Sequence, residues 1–318
     1  MTSLLLIIAG FVLLLLGGEA LVRGSVAIAT KMGVSKLVIG LTLVGFGTSA
    51  PELVTSIQAA LSGASGIAIG NVVGSNIANI LLIIGISAVI LPMFCPRDAV
   101  SRDGTVMIIA TALLVLACFM GDISRVMGLI FLLGLISYLA MTFHIERKQK
   151  DLSSEMHEHE SEAMPSPVKS IPLNLLIAVG GMAILVVGAN LLVSGATELA
   201  KGLGVSDTVI GLTVVAVGTS LPELATSVMA ALKRQSDVAL GNVIGSNIFN
   251  ILAILGITAL VKPIPVPREI LHFDLWVAVA AAVALLVFAY SNRKISRIEG
   301  GLMLGAYAVY IGAVAILS

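Results

Sequence analysis

Long apolar stretches alternate with short polar connections along almost the whole chain. Runs of roughly 20 apolar residues are long enough to cross the ~30 Å of hydrocarbon in a bilayer. The pattern therefore predicts an all-α integral membrane protein with ten transmembrane helices, at 3–29, 36–61, 66–91, 104–120, 124–143, 172–199, 207–232, 237–261, 272–290 and 298–317. The first helix is expected to be retained, because it lacks the basic leader and the small-residue cleavage site of a signal peptide.

One segment interrupts this pattern and divides the chain. Residues 144–170, HIERKQKDLSSEMHEHESEAMPSPVKS, are charged, contain two prolines and show no apolar period, which is typical of a linker. Two interpretations of its EMHEHESE core stay open: loose metal binding through His157 and His159, and a solvated run of charges, which we favour. The predicted domains are therefore a five-helix half at 1–143, the linker, and a second half at 171–318.

The two halves repeat one another in constant register, with Gly40 of the first half aligned to Gly211 of the second. Between 40–85 and 211–256, 29 of 46 positions are identical without a gap. Because each half contains an odd number of predicted helices, the second half enters the membrane from the opposite side. Inverted repeats of this kind are typical of alternating-access transporters. A duplicated passive scaffold is the less favoured alternative.

The repeated segments carry polar side chains at helical spacing within apolar helices. In GLTLVGFGTSAPELVTSIQAAL, which begins at Gly40, Thr48, Ser49 and Glu52 share one face. Pro51 has no backbone N–H, so the helix is expected to break beside it. The next helix places Asn71, Ser75 and Asn79 on one stripe. The second half repeats both patterns with Thr219, Ser220, Glu223, Asn242, Ser246 and Asn250.

Glu52 and Glu223 point to a cation as the missing counter-charge. An ionised glutamate at bilayer depth is costly without compensation, and the nearest basic residues lie at the predicted membrane edges. Oxygen ligands suit hard cations such as Ca²⁺ and Na⁺, whereas zinc and copper favour His or Cys. Ser, Thr and Asn often serve only to form hydrogen bonds between helices, but this role does not require a charged side chain. Glu19, four residues before Arg23, is instead predicted to form a local ion pair.

Composition and charge narrow the function further. Apolar residues make up 58% of the chain and charged residues 11%, with a mean hydropathy of +1.09, which excludes a water-soluble domain. The net charge is zero, so there is no basic surface for nucleic acid. Alternating connections place 14 Lys and Arg residues on one side and 4 on the other, which predicts a cytoplasmic linker and two outward-facing termini. Cys95 and Cys118 are predicted to be apolar filler.

The motifs GTSAPEL…GNVVGSNIANI and GTSLPELATS…GNVIGSNIFNI resemble the paired alpha-repeats of the sodium/calcium exchanger family, in the cation/calcium exchanger superfamily. The resemblance covers nearly the whole chain and implies a prokaryotic type, since the short linker leaves no room for regulatory domains. It implies that the repeats meet at mid-membrane and bind Na⁺ and Ca²⁺ in mutually exclusive fashion, with Glu52 and Glu223 as shared carboxylates. The other implied ligands are the hydroxyl and backbone carbonyl groups of Thr48, Ser49, Ser75, Thr219, Ser220 and Ser246, the amides of Asn79 and Asn250, and the backbone carbonyls of Gly45 and Ala216.

One position departs from part of the family. Potassium-dependent exchangers and some prokaryotic relatives carry an aspartate where this chain has Asn250. The site then holds two formal negative charges, which one Ca²⁺ balances, and this disfavours K⁺ co-transport.

The sequence thus predicts an antiporter that exchanges Ca²⁺ for Na⁺ across the cytoplasmic membrane of a prokaryote. It is expected to be neither an enzyme nor dependent on a cofactor, with the two ions and the lipid bilayer as its partners. The resemblance implies that helices 1 and 6 slide as a gating pair. H⁺/cation exchange on the same scaffold is the alternative, and a channel or an intramembrane enzyme is less favoured. Oligomeric state and stoichiometry stay open.

Overall fold

The computed structural model describes residues 2–32, 35–95, 97–157, 170–203, 216–291 and 293–317. The helices of the first half are α1 (Thr2–Met32), α2 (36–48), α3 (Ala50–Leu61), α4 (Ser65–Ile90), α5 (Arg97–Phe119) and α6 (Arg125–His157). Those of the second half are α7 (Ile171–Gly202), α8 (Ala216–Thr219), α9 (Leu221–Leu232), α10 (Ser236–Val261), α11 (Ile270–Ser291) and α12 (Arg297–Leu317).

The prediction of a helical membrane protein is confirmed. Among the described residues, seven helices are long and apolar enough to span a bilayer: Thr2–Met32, Ser65–Ile90, Val100–Phe119, Arg125–Ile145, Ile171–Leu199, Ser236–Val261 and Ile270–Ser291. The start of the predicted helix at 207–232 lies outside the described residues, which resume at Ala216.

The fifth predicted helix is longer in the structure than expected. Helix α6 continues through His157, past its predicted end at 143. The residues from 146 to 150 are Glu, Arg, Lys, Gln and Lys, which are good helix formers, and this local preference favours continuation of the helix. His159 and the remainder of the predicted metal-binding core lie outside the described residues.

The prediction of an all-α chain misses four strands of two residues each. β1 (Met93–Phe94) pairs antiparallel with β4 (Lys294–Ile295), and β2 (Asp122–Ile123) pairs antiparallel with β3 (Ile264–Pro265). Strands this short carry no alternating pattern that the sequence could reveal. Each pair joins a connection of the first half to a connection of the second half. The loop after α4 therefore lies beside the loop after α11, and the loop after α5 lies beside the loop after α10.

Helices α4 and α10 form the interior of the molecule. Within their most apolar 18-residue windows, 72% of the residues of α4 and 89% of those of α10 are buried, compared with 28% for α7. These two helices carry the predicted asparagine and serine stripes. The polar stripes therefore lie at the centre of the protein, surrounded by helices whose apolar side chains face outward.

Helices α1 and α7, which correspond to the predicted helices 1 and 6, pack against each other backbone to backbone. A Cβ atom at Gly10 would lie 2.6 Å from the Gly188 carbonyl oxygen, and one at Gly17 would lie 2.8 Å from the Gly181 carbonyl oxygen. These glycines recur every seventh position on both helices, which keeps them on one seam of an antiparallel pair. The predicted gating pair is thus a closely packed unit, and its sliding stays a prediction.

The two cysteines fill apolar space, as predicted. Cys95 and Cys118 are both buried free thiols within the hydrophobic core. Burial also raises the pKa of the Cys95 thiol, which lies in the connection after α4, to about 12. At neutral pH this thiol is protonated and therefore a poor nucleophile.

Candidate cation site

The helix that carries each glutamate is broken one turn before it. Ser49 separates α2 from α3 with φ −82° and ψ 3°, and Ser220 separates α8 from α9 with φ −89° and ψ 6°. A proline follows each serine near the start of the new helix, which confirms the predicted break. Glu52 and Glu223 consequently lie in the first turns of α3 and α9. The positive end of a helix dipole stabilises negative charge at such positions.

An asparagine from the following helix fixes each broken helix in the same way. The Nδ2 of Asn71 donates to the Glu52 carbonyl oxygen at 3.2 Å and to Ser56 Oγ at 3.0 Å. The Nδ2 of Asn242 donates to the Glu223 carbonyl oxygen at 3.3 Å and to its own serine, Ser227, at 2.9 Å. The members of the two sets occupy equivalent positions in the aligned repeats, so the halves build equivalent supports for their glutamates.

The hydroxyl groups predicted as ligands connect one half to the other. Ser49 Oγ donates to Glu223 Oε1 at 3.3 Å, and Ser220 Oγ donates to Ser75 Oγ at 3.3 Å. Thr48 Oγ1 lies 3.3 Å from Asn242 Oδ1. The structure therefore brings the polar stripes of both repeats into one cluster between α3, α4, α9 and α10.

The backbone ligands implied by the resemblance differ in their surroundings. The Gly45 carbonyl oxygen accepts from the Ser246 hydroxyl at 3.4 Å and from the Ser49 backbone N–H at 3.2 Å, and it lies 3.3 Å from the Thr48 hydroxyl. The Gly45 carbonyl oxygen therefore belongs to the cluster, but hydrogen bonds within the protein already use it as an acceptor. Ala216 begins the described part of α8, and Thr219, three residues later in the same helix, is half-buried.

The two glutamates are buried and incompletely hydrogen-bonded. Each is 1% exposed, and the Oε2 atoms of Glu52 and Glu223 have no hydrogen-bond partner. The Oδ1 atoms of Asn79, Asn247 and Asn250 are buried and unpaired as well. Native proteins pair almost all buried polar atoms, so five unpaired acceptor oxygens on these facing helices require a donor or a cation.

The cluster matches hard-cation chemistry. In the described part of the chain, neither glutamate forms a salt bridge, and no group of three or more His, Cys, Asp and Glu side chains is placed to hold a metal ion. The groups that face one another are carboxylate, amide and hydroxyl oxygens. Such donors favour Ca²⁺ and Na⁺ over zinc or copper.

Sequence reasoning missed two asparagines and the π-helical turns beside them. Asn76 and Asn247 are 5% and 1% exposed, and each lies outside the stripe formed by positions four residues apart. A π-helical segment begins at Asn79 in α4 and at Asn250 in α10, and such segments often mark functional sites. The GSN motif, which is repeated in both halves, is the signal in the sequence that could have identified these asparagines.

Glu19 lies apart from this cluster, and its predicted partner is wrong. The Glu19 carboxylate forms an ion pair with Lys233 Nζ at 2.7 Å instead of the local pair with Arg23. Lys233 directly follows α9, so the ion pair connects the two halves. The sequence pattern favoured Arg23 because helical spacing indicates contacts only between residues of the same helix.

Known proteins share both the sequence and the architecture. A family model described as sodium/calcium exchanger protein matches the chain over residues 2–144 and 173–315. The chain belongs to the sodium/calcium exchanger family. This exchanger is 36% identical to the sodium/calcium exchanger MaX1 of Methanosarcina acetivorans over 340 residues, covering 97% of each chain. It is 31% identical to the inner membrane protein YrbG of Escherichia coli over 308 residues, covering 96% of this chain and 94% of that protein.

The structure of the exchanger also resembles solved structures of the sodium-calcium exchanger NCX_Mj. One of these, from crystals soaked with 2.5 mM Na⁺ and 1 mM Sr²⁺, aligns with a TM-score of 0.83 at 33% identity and covers 98% of both chains. Family membership identifies the chain as an ion exchanger of the membrane, and calcium/sodium exchange is the activity for which the family is named.

Proposed function

We propose that the protein is a secondary-active antiporter that exchanges Ca²⁺ for Na⁺ at one site between its two halves. The observation that carries this proposal is the cluster of unpaired acceptor oxygens around two buried glutamates. Two carboxylates neutralise one Ca²⁺, and the same oxygens suit Na⁺ when Ca²⁺ has left. The similarity to MaX1 and to NCX_Mj supports this choice of ions.

The proposed ligands are those that the motifs indicate. Glu52 and Glu223 supply the charge that both ions share. Neutral oxygens come from the remaining set: Thr48, Ser49, Ser75, Asn79, Thr219, Ser220, Ser246 and Asn250, together with the carbonyls of Gly45 and Ala216. Most members of this set either form hydrogen bonds within the buried cluster or carry an unpaired oxygen there, which supports treating the set as one site.

We propose further that ten helices span the membrane as two inverted five-helix repeats. The strand pairs support this topology, because β1 pairs with β4 and β2 pairs with β3. An alternating path of ten helices brings the loops at 91–95 and 293–296 to one side and those at 120–124 and 262–267 to the other. The charge bias assigns the first side to the cytoplasm, and the E. coli relative named as an inner membrane protein supports the cytoplasmic membrane.

Cysteine labelling in intact cells tests this topology. The side chains of Phe94 and Met120 are 56% and 63% exposed and lie in loops on opposite predicted sides. We expect Met120→Cys to react with a membrane-impermeant maleimide in intact cells, and Phe94→Cys to react only after permeabilisation. Wild-type protein is the control, because its cysteines are buried. Labelling of both variants from outside would contradict the inverted arrangement.

Ion flux in proteoliposomes tests the coupling. We expect Ca²⁺ uptake to follow an outward Na⁺ gradient and to persist when an ionophore collapses the pH gradient. The unpaired Oε2 atoms of Glu52 and Glu223 are also the positions at which protons would bind in an H⁺/cation exchanger. Uptake that follows pH and ignores Na⁺ would therefore assign the same site to proton coupling.

A further inference from the structure

The amide of Asn250 is held by a short chain of hydrogen bonds that crosses between the halves. Asn250 Nδ2 donates to Asn76 Oδ1 at 2.9 Å, and Asn76 Nδ2 donates to the Asn247 backbone carbonyl oxygen at 3.4 Å. All three asparagines are at most 5% exposed. The chain thus begins at a backbone carbonyl of α10, passes through a side chain of α4 and returns to α10.

The backbone carbonyl fixes the direction of every bond in this chain. A carbonyl oxygen only accepts, so Asn76 must turn its NH₂ group towards Asn247. Its Oδ1 then faces Asn250, which must donate a hydrogen bond from its own NH₂ group. Exchanging the oxygen and nitrogen positions of either amide would place two acceptors, or two donors, opposite each other. The only end of Asn250 left without a hydrogen bond is Oδ1, and it is unpaired.

This orientation matters because an amide presents two opposite faces to a cation. The oxygen attracts a cation, whereas the NH₂ group repels it. A carboxylate at the same position presents an oxygen in either orientation. A neighbour that selects the oxygen end therefore helps an asparagine ligand, whereas an aspartate ligand gains nothing from it.

The second half does not repeat this support. Asn247 is the equivalent of Asn76, but its Nδ2 donates to the Val243 carbonyl oxygen within its own helix at 2.7 Å. Its hydrogen-bonding capacity is directed along α10, and the structure gives it no bond to Asn79, the equivalent of Asn250, among the described residues. Among the described residues, the support is therefore specific to Asn250.

We propose that Asn76 is a positioning residue that turns the oxygen of Asn250 towards the bound cation. This inference rests on the proposed function, because it takes Asn250 as a ligand of the transported ion. Asn76 acts through Asn250 and needs no contact with the ion. Its hydrogen bond makes a neutral amide serve as a one-sided oxygen ligand.

A double-mutant cycle between Asn76 and Asn250 tests the proposal. Ca²⁺ binding is measured by isothermal titration calorimetry on the purified full-length protein in Na⁺-free detergent solution. We expect Asn76→Ala to weaken Ca²⁺ binding about tenfold, because the Asn250 amide then loses the hydrogen bond that turns its oxygen towards the ion. In the Asn250→Asp background, the same change should weaken binding less than about twofold, because either carboxylate oxygen accepts the ion.

A purely structural role for Asn76 gives a different result. In that case Asn76→Ala weakens binding by the same factor in both backgrounds, and the proposal is overturned. An unchanged affinity in the wild-type background overturns it as well. If Asn76→Ala is not recovered as a monodisperse protein, Asn76→Ser enters the cycle with the same expectations, since it restores no acceptor at the distance of Oδ1.

Binding separates this inference from the proposed antiport. A wild type that binds Ca²⁺ but does not exchange it contradicts the proposed function alone, and the cycle still decides the role of Asn76. A wild type that binds no Ca²⁺ overturns the ligand role of Asn250 and the inference together.

Discussion

The hydroxyl of Ser49, in the first half of the chain, donates a hydrogen bond to Glu223 Oε1, in the second half, at 3.3 Å. This bond joins the break between α2 and α3 to the first turn of α9. It leaves Glu223 Oε2 without a partner, as Oε2 of Glu52 also is. Hydrogen bonds thus hold Glu52 through its backbone carbonyl, and Glu223 through its backbone carbonyl and Oε1. Oε2 of each glutamate stays available to an ion.

Removing either charge should abolish exchange. We expect Glu52→Gln and Glu223→Gln to reduce Na⁺-driven Ca²⁺ uptake into proteoliposomes to background. Each change leaves one formal negative charge to balance a divalent cation in a buried site, where an uncompensated charge costs several kcal/mol. Gel filtration and a melting curve check that the variants fold. Near-normal flux in either folded variant would exclude that glutamate as a shared ligand.

Glu19 provides the matched control for a glutamate outside the cluster. Its ion pair with Lys233 is partly exposed, with the two side chains 46% and 35% accessible. Exposed ion pairs are screened by solvent and contribute little to stability. We therefore expect Glu19→Gln to retain Ca²⁺ uptake within roughly twofold, in the same assay. Complete loss of flux in a folded Glu19→Gln protein would give the ion pair a role in transport.

The neutral Asn250 should make transport independent of K⁺. With two carboxylates, a Ca²⁺-loaded site is formally neutral, and at about 4 Å a further unit charge interacts with the bound ion by roughly 4 kcal/mol per charge pair at an effective dielectric of 20. Replacing K⁺ by choline on both sides of the vesicle should leave Ca²⁺ flux unchanged. A requirement for K⁺ in the wild type would contradict the charge argument.

Restoring a third carboxylate should tighten binding and slow turnover. We expect Asn250→Asp to lower the Ca²⁺ concentration at half-maximal binding while reducing the maximal flux, because a more negative site releases its ions less readily. Calorimetry and flux assays on the same preparation measure the two effects. Weaker Ca²⁺ binding in this variant would indicate that position 250 does not contact the ion.

The glycine seam between α1 and α7 offers a test of the packing. A Cβ at Gly181 would lie 2.6 Å from the Leu21 backbone nitrogen, whereas one at Gly180 meets no described atom within 4 Å. Overpacking of this kind typically costs about 1–3 kcal/mol. We expect Gly181→Ala to lower the melting temperature and the Ca²⁺ flux, and Gly180→Ala to leave both unchanged. Equal melting curves for the two variants would mean that the helices separate easily.

Much of the candidate site could be predicted from sequence because its determinants are local and doubled. Pro51 breaks a helix wherever it occurs within one, and the break is found at Ser49. The stripe from Asn71 to Asn79 follows from helical periodicity, and the gapless alignment of the repeats assigns each residue its equivalent in the other half. A carboxylate within an apolar run requires compensation, whatever the surrounding fold.

The partners across the two halves could not be predicted, because sequence spacing gives no distance between separate helices. Helical periodicity assigned Glu19 to Arg23, whereas tertiary packing brought Lys233 within 2.7 Å. The strands contain two residues each, and they exist only because two distant loops meet. The same limit hid the role of Asn76, which depends on a backbone carbonyl in the other half of the chain.

The amino-acid sequence was thus sufficient to establish that the chain is helical, spans a membrane, repeats itself and carries two glutamates without a basic partner. These properties depend on composition, periodicity and single residues, which act within one helix. Packing between the helices, in contrast, settled which oxygens meet, which of them are already hydrogen-bonded and which stay unpaired. Those properties arise where α4 and α10 pack against the broken helices, because a hydrogen bond requires two groups within about 3 Å in a favourable orientation.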